Sequence, residues 1–139
     1  MLRNTRAGRR VLVVEDDEAI VRMLQMSLRS GGFSPERAGS GQEAIDALDA
    51  SVFDAVVLDL CLPDGRGADV LEKLRTNGHS PVWIAMSALD EYEAIRRFGP
   101  LKGPFLAKPF DPWDLTRLLD RLLMQGRGNS ERQLGAAAS

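Results

Sequence analysis

The sequence predicts an α/β fold, a doubly wound parallel sheet of five strands in the order 2-1-3-4-5 with helices on both faces. Short apolar runs alternate with segments of helical periodicity, and this alternation is typical of a parallel sheet that is covered on both sides. Several of these runs end in a carboxylate, a hydroxyl or an ammonium residue. Because the carboxyl ends of parallel strands meet at one edge, the same pattern predicts a ligand site there.

The first strand is predicted from Arg10 to Val14, and Gly31-Gly32 ends the helix that follows it. Asp17 is expected to cap this helix, and helical spacing directs four of its apolar side chains toward the core: Ile20, Met23, Leu24 and Leu28. A weaker second strand runs from Phe33 to Ala38. The next helix begins at a capping box, in which Ser40 accepts a backbone amide and Glu43 reaches back, and its Ile45 and Leu48 face the core.

The third strand, Ala55 to Leu58, leads through a turn-rich loop into a helix that carries Val70, Leu71 and Leu74 and closes at Asn77-Gly78. The fourth strand is Val82 to Met86. A short helix between Asp90 and Phe98 is confined by Gly99-Pro100 and Gly103-Pro104, and residues 89–104 are the least determined part of the pattern.

The fifth strand is Phe105 to Ala107, and Asp111-Pro112 begins the last helix as N-cap and first-turn proline. The apolar stripe of this helix consists of leucines: Leu115, Leu118, Leu119, Leu122 and Leu123. The sequence therefore predicts one domain over residues 10–124, with disordered tails over 1–9 and 125–139. This arrangement is the flavodoxin-like order of a doubly wound sheet.

Composition excludes several classes of protein. A length of 139 residues suits one domain with a sizeable core, and a formal net charge of -2 gives no nucleic-acid signature. The single cysteine, Cys61, excludes an internal disulfide. No apolar run approaches the roughly 18 residues of a membrane span, and the basic N-terminus lacks the apolar stretch of a signal peptide. We expect a cytoplasmic protein with no direct contact to nucleic acid or membrane.

Carboxylates follow two of the predicted strands. Glu15-Asp16 come after the first strand and Asp59 after the third, so these groups should share one cleft. At ~4 Å and an effective dielectric near 20, each like-charged pair repels by about 4 kcal/mol. Such a cluster calls for a divalent cation, and oxygen ligands without a His/Cys set favour a hard one. Ser87 ends the fourth strand and Lys108 the fifth, at the same edge.

Four separated motifs carry a family resemblance: Val13-Val14-Glu15-Asp16-Asp17, Val57-Leu58-Asp59-Leu60-Cys61-Leu62-Pro63-Asp64-Gly65, Met86-Ser87-Ala88 and Ala107-Lys108-Pro109-Phe110. In this order they resemble the receiver domains of bacterial two-component response regulators, over about Arg10 to Met124. The resemblance is closest to stand-alone, CheY-like receivers.

The resemblance implies that Asp59 is the phosphoacceptor for a phosphoryl group from the phosphohistidine of a sensor histidine kinase or a histidine phosphotransfer protein. It implies that Glu15, Asp16, Asp59 and the Cys61 carbonyl hold Mg2+, directly or through water. Ser87 would bond a phosphoryl oxygen and Lys108 would pair with the phosphate. By the same resemblance Lys108-Pro109 is expected to be a cis peptide.

In signalling, Ser87 and Phe105 are the implied switch pair, acting on the face of helix 4, strand 5 and helix 5. We expect a phosphorylation switch rather than an enzyme with its own substrate, a monomer or a phosphorylation-dependent dimer, and a downstream effector protein that the sequence does not identify. Cys61 itself is interpreted as a packing thiol. Because Cys61 and Leu89 orient water poorly, slow self-dephosphorylation is also expected.

Some features depart from the family, and some alternatives stay open. Ser87 stands where Thr is commoner, Phe105 where Tyr is commoner, and Lys102-Gly103-Pro104 replaces the usual Gly-Ala before strand 5. One alternative is a receiver-like module that binds partners without phosphorylation, and another is a fragment of a longer regulator with an output domain. A haloacid dehalogenase-type phosphohydrolase would need Asp-x-Asp, whereas Leu60-Cys61 follow Asp59. An FMN-binding module is disfavoured because the acidic first turn would repel the phosphate.

Overall fold

The computed structural model describes residues 8–77 and 80–138, with side chains in the last helix described as far as Gln125. The strands are β1 (Arg10–Val14), β2 (Ser34–Ala38), β3 (Ala55–Asp59), β4 (Val82–Ser87) and β5 (Phe105–Ala107). The helices are α1 (Glu18–Ser30), α2 (Gly41–Ala50), α3 (Gly67–Thr76), α4 (Glu91–Phe98) and α5 (Pro112–Ala138). Strands and helices alternate throughout, as predicted.

All strand pairs are parallel, and the order β2-β1-β3-β4-β5 confirms the predicted doubly wound sheet. Alternate residues of each strand point to opposite faces, so the central strands must be apolar on both sides. In β1, Leu12 and Val14 pack in one core cluster with side chains of α2, α3 and α4. Val11 and Val13 pack in a second cluster with α1 and α5.

The predicted helix starts agree with the structure. Asp17 caps α1, since its Oδ1 accepts the amides of Ala19 at 2.9 Å and Ile20 at 3.2 Å. Ser40 Oγ accepts the Glu43 amide at 3.1 Å, while Glu43 reaches back to the Gly39 amide at 2.6 Å. A side-chain acceptor at the N-terminus satisfies amides that have no partner within the helix.

Two predictions are wrong in detail, one about a core residue of α1 and one about the start of β2. Met23 is 39% exposed, because it lies at the edge of the apolar stripe of α1; Val21 is buried instead. The second strand begins at Ser34, because the amide of Phe33 bonds the Leu28 carbonyl at the end of α1 rather than a neighbouring strand. Phe33 is nevertheless buried in the core.

The segment between β4 and β5 folds as a helix followed by an ordered loop. Asp90 Oδ1 accepts the Glu93 amide at 2.8 Å and caps α4. The loop after α4 is fixed at two places, where Leu101 is buried in the core and the Pro100 carbonyl accepts a bond from Arg75. Residues 89–104 therefore contain the short helix that the Gly-Pro pairs predict.

The two chain ends were predicted to be disordered. Residues 1–7 lie outside the described part of the chain, as does Gly78, the predicted end of α3. At the other end, α5 continues as helix to Ala138, where the sequence predicts a tail from residue 125. Extending an existing helix costs far less than nucleating one, and this favours continuation. Disorder of the two tails stays a prediction.

Candidate functional site

The acidic cluster lies where β1 and β3 end side by side. Val14 pairs with Leu58 in the register of these strands, so the next residues, Glu15 and Asp59, emerge together. Glu15 is 1% and Asp59 4% exposed, while Asp16 faces solvent. One carboxylate oxygen from each of the three residues lies within 4.8 Å of the others. The structure thus brings together the three acids that the sequence placed in one cleft.

Lys108 reaches into this cluster from the end of β5. Its Nζ lies 2.6 Å from Glu15 Oε2 and 3.0 Å from Asp59 Oδ2. The Lys108 amide donates to the Ser87 carbonyl at 2.8 Å, which ties the end of β5 to the end of β4. The Lys108-Pro109 peptide is cis, as expected. The ammonium is therefore held between two buried carboxylates.

The environment shifts the titration of both partners. Burial raises the pKa of Glu15 above its usual value of 4.5, and the repulsion of Asp59 adds to this, against the opposing hydrogen bond from Lys108. Burial alone would lower the pKa of Lys108, but its bonds to Glu15 and Asp59 outweigh that cost and raise it. The two carboxylates therefore more than offset the desolvation cost of the Lys108 ammonium, whereas Lys108 offsets only part of the cost of the Glu15 carboxylate.

Ser87 lies fully buried at the end of β4, where its Oγ accepts the Leu89 amide at 3.0 Å. Cys61 Sγ is 3.5 Å from the same oxygen. Cys61 is exposed, so its interpretation as a packing thiol is wrong: the residue lies at the solvent edge of the site, although its sulfur contacts Ser87. The Cys61 amide donates to Asp59 Oδ1 at 3.0 Å, which fixes the orientation of the carboxylate.

The donor set fits a hard divalent cation. Three carboxylates supply oxygen ligands, which Mg2+ prefers, and one ammonium leaves a formal excess of two negative charges. Glu15, Asp16 and Asp59 could hold such an ion at the solvent edge of the cluster, where Asp16 is exposed. The participation of the Cys61 carbonyl stays a prediction.

The contacts of two residues near the site are not predicted by the sequence patterns. Arg37 donates to the Asp16 carbonyl at 3.2 Å and lies 3.7 Å from Glu18, so it bridges β2 and the start of α1 beside the acids. Asp64 bonds two amides of α2. Asp64 carries a signal, since it stands between Pro63 and Gly65, but that signal indicates a local turn rather than a contact with another helix.

The fold and the site together define a class of α/β proteins that accept a phosphoryl group. The defining features are a parallel sheet with a ligand site at the carboxyl ends of its strands, a buried aspartate, an acid pair and a lysine. The model of the response regulator receiver domain matches residues 11–120. The chain belongs to this family, the receiver domains of two-component response regulators.

Individual relatives agree with this assignment. The cell cycle transcriptional regulator CtrA of Caulobacter vibrioides is 28% identical over 123 residues, which cover 88% of this chain and 53% of CtrA. The chain thus spans about half the length of that relative. A Francisella response regulator receiver domain is 26% identical with a TM-score of 0.75, over 85% of this chain and 98% of that one.

A CheY-like receiver domain protein from Methanospirillum hungatei has the same fold, with a TM-score of 0.77 at 24% identity over 88% of this chain and 99% of that one. Among the helices of residues 8–77 and 80–138, none has the length and apolar character to cross a bilayer.

Proposed function

We propose that Asp59 accepts a phosphoryl group from the phosphohistidine of a sensor histidine kinase or a histidine phosphotransfer protein, and that the resulting acyl phosphate switches partner binding. One observation carries the proposal: the Asp59 carboxylate is buried yet lies within 4.8 Å of two further acid ligands, with the Lys108 ammonium at 3.0 Å. A structural aspartate would not gain from such repulsion. A carboxylate that attacks a phosphoryl group would benefit from the cations that a cluster of negative charge attracts.

The transfer is a displacement at phosphorus. An oxygen of Asp59 forms the new P–O bond, the P–N bond of the phosphohistidine breaks, and the released imidazole nitrogen takes a proton from water. The Cys61 amide holds Asp59 Oδ1, so the carboxylate presents itself in one orientation. Positioning and charge neutralisation supply most of the catalysis in such reactions.

Glu15, Asp16 and Asp59, with the Cys61 carbonyl, would hold Mg2+. When bound, the ion neutralises charge on the phosphoryl oxygens and on the carboxylate that they approach. Lys108 contributes a second positive charge, because its ammonium can exchange a carboxylate partner for a phosphoryl oxygen without leaving the cleft. The buried Glu15 keeps that ammonium in place, 2.6 Å from its Oε2.

Ser87 and Phe105 would carry the signal away from the site. Phe105 pairs with Ala85 in the register of β4 and β5, two residues before Ser87, so both side chains lie on the same face of the sheet. Phe105 packs against the core cluster that includes Ala94 of α4. We infer that Ser87 moves toward a phosphoryl oxygen, that Phe105 turns into the released space, and that the face of α4, β5 and α5 changes its affinity for a partner.

The partners follow from this role. The phosphodonor is a histidine kinase or phosphotransfer protein, and the receiver of the signal is a further protein that binds one phosphorylation state, with a second copy of this chain as a candidate. We infer a cytoplasmic location, because histidine kinases and phosphotransfer proteins donate phosphoryl groups there. This chemistry makes the chain a phosphoprotein switch that assists its own phosphorylation and dephosphorylation.

Intact mass measurement tests the proposal. The wild type is incubated with acetyl phosphate and Mg2+, and Asp59→Asn serves as the control that keeps the shape of the side chain. We expect one phosphoryl group on the wild type and none on the variant. An unmodified wild type would leave partner binding independent of phosphorylation, and equal labelling of both would place the phosphate on another residue.

A further inference from the structure

The loop between β3 and α3, residues 60–66, is tied to a helix that lies more than 20 residues earlier in the chain. Asp64 Oδ1 accepts the Gly41 amide at 3.2 Å, and Asp64 Oδ2 accepts the Gln42 amide at 3.0 Å. These are the first amides of α2. The N-cap residue of α2 is Ser40, which directly precedes the helix and whose Oγ accepts the Glu43 amide. The N-terminus of α2 therefore has two acceptors, and one of them comes from the loop beside the acidic cluster.

Packing reinforces this tie. A Cβ at Gly41 would lie 2.6 Å from the Cβ of Arg66, and one at Gly67 would lie 2.1 Å from the Leu60 carbonyl oxygen. Both glycines thus permit a backbone approach that a side chain would block. The C-terminal end of the loop, at Arg66, packs against Gly41 of α2. The two ends of the loop lie close together, because Gly67 approaches the Leu60 carbonyl.

Between these ends lies Cys61. Its amide holds Asp59 Oδ1 at 3.0 Å, and its carbonyl is the fourth ligand that we propose for Mg2+. The Cys61 residue is exposed and its sulfur has one side-chain contact, with Ser87, so the position of its backbone depends mainly on the shape of the loop. The anchor of the loop at Asp64 therefore bears on both the orientation of Asp59 and the position of that carbonyl.

We propose that Asp64 is a positioning residue for the Mg2+ site: by binding the amides of Gly41 and Gln42 it fixes the loop that presents Cys61 to the metal. The inference rests on the proposed function, because it takes the acidic cluster as the metal site. Outer groups that orient metal ligands typically change metal affinity by about 10- to 100-fold. An effect through a backbone loop should be smaller, about 3- to 10-fold.

The charge of Asp64 supports the same geometry. The amides of Gln42, Arg66 and Gly41 lower its pKa below 3.8, so the carboxylate is ionised wherever Mg2+ would bind. A negative group at the N-terminus of α2 also interacts favourably with the helix dipole. Asp64 is thus anchored by hydrogen bonds and by charge, although its side chain is exposed.

Calorimetric titration with Mg2+ tests the inference on Asp64→Ala, with Ser40→Ala as the matched control. Both variants remove one acceptor from the N-terminus of α2, but only the first releases the loop. We expect a dissociation constant about 3- to 10-fold higher for Asp64→Ala and one within about 2-fold of wild type for Ser40→Ala. Gly41→Ala, which pushes Arg66 away while keeping Asp64, should weaken Mg2+ binding as well.

The outcomes separate the two proposals. Unchanged affinity in Asp64→Ala overturns the positioning role, and so does an equal loss in Ser40→Ala, since that would be an effect of helix stability alone. A wild type that takes up no Mg2+ overturns the proposed function instead. Should Asp64→Ala fail to fold, Asp64→Asn retains one acceptor oxygen, and an affinity equal to wild type in that variant likewise counts against the role.

Discussion

Lys108 Nζ lies 3.0 Å from Asp59 Oδ2, although Asp59 ends β3 and Lys108 follows β5, two strands that β4 separates in the sheet. The lysine side chain thus reaches across the end of a strand to meet the aspartate. The same nitrogen bonds Glu15 at 2.6 Å. One ammonium therefore links the ends of β1, β3 and β5, and it lies beside the carboxylate that we propose as the phosphoacceptor.

Lys108→Met should destabilise the fold and slow phosphorylation. The variant leaves Glu15 and Asp59 buried without their cation, and breaking such a pair costs about 3–5 kcal/mol in the free energy of unfolding. Urea denaturation measures this cost, and intact mass over time with acetyl phosphate measures the rate of phosphorylation.

Two further variants identify the cause. Lys108→Met/Glu15→Gln neutralises one of the two buried carboxylates that lose their cation and should recover part of the lost stability, since only Asp59 then stays buried without a partner charge. Lys73→Met removes a lysine whose partner, Asp49, is exposed, and should change stability by less than about 1 kcal/mol. If Lys73→Met cost as much as Lys108→Met, the buried pairs would not explain the loss.

Ser87→Ala should slow phosphorylation by about 10-fold, because it removes a hydroxyl donor for a phosphoryl oxygen in a buried position, where such donors have their largest effect. The rate with acetyl phosphate and Mg2+ measures this effect. Ser87→Thr keeps the hydroxyl and should retain most of the rate. Equal rates in Ser87→Ala and wild type would leave the hydroxyl without a role in the transfer.

The edge of the sheet could be predicted because each of its residues ends an apolar run. Glu15, Asp59 and Lys108 each follow such a run directly, and parallel strands bring those positions together without further information. Helix starts such as Asp17 and Ser40 were equally readable, because capping depends on neighbours within three residues. Local rules therefore account for the fold and for the acids of the site.

Contacts that depend on the course of a loop or on the exact rotation of a helix could not be predicted in this way. Pro63-Asp64-Gly65 has a sufficient local explanation as a turn, so nothing in it indicates the amides of α2. The exposure of Cys61 depends on the course of the same loop, whereas the general tendency of thiols is to be buried. Met23 lies at the edge of a helical stripe, where a small rotation of α1 decides between core and solvent.

The acyl phosphate should be long-lived, with a half-life of minutes or more after acetyl phosphate is removed. Hydrolysis needs a water held in line with the P–O bond. Cys61 lies exposed at the mouth of the site and Leu89 is apolar, and neither residue orients water well. Intact mass during decay in Mg2+ measures the half-life. Cys61→Asn, which adds an amide at the same position, should shorten it, and decay of the wild type within seconds would contradict the prediction.

Asp64 should make stability depend on pH in the acid range. Its pKa is lowered by the amides of Gln42, Arg66 and Gly41, so the folded state binds the proton less tightly than the unfolded state. The contribution of Asp64 to folding stability is therefore present above the pKa of the unfolded state, near 3.8, and is lost as the pH falls through the lowered pKa of the folded state. The difference in unfolding free energy between wild type and Asp64→Asn should narrow over that window, whereas the difference between wild type and Ser40→Ala, which removes a cap that does not titrate, should stay constant. Urea denaturation at pH 6, 4 and 3 measures both differences, with the pH values chosen about the reference pKa. If the difference in unfolding free energy between wild type and Asp64→Asn persisted at the lowest pH, the protonated carboxyl group of Asp64 would bind α2 as well as the carboxylate does.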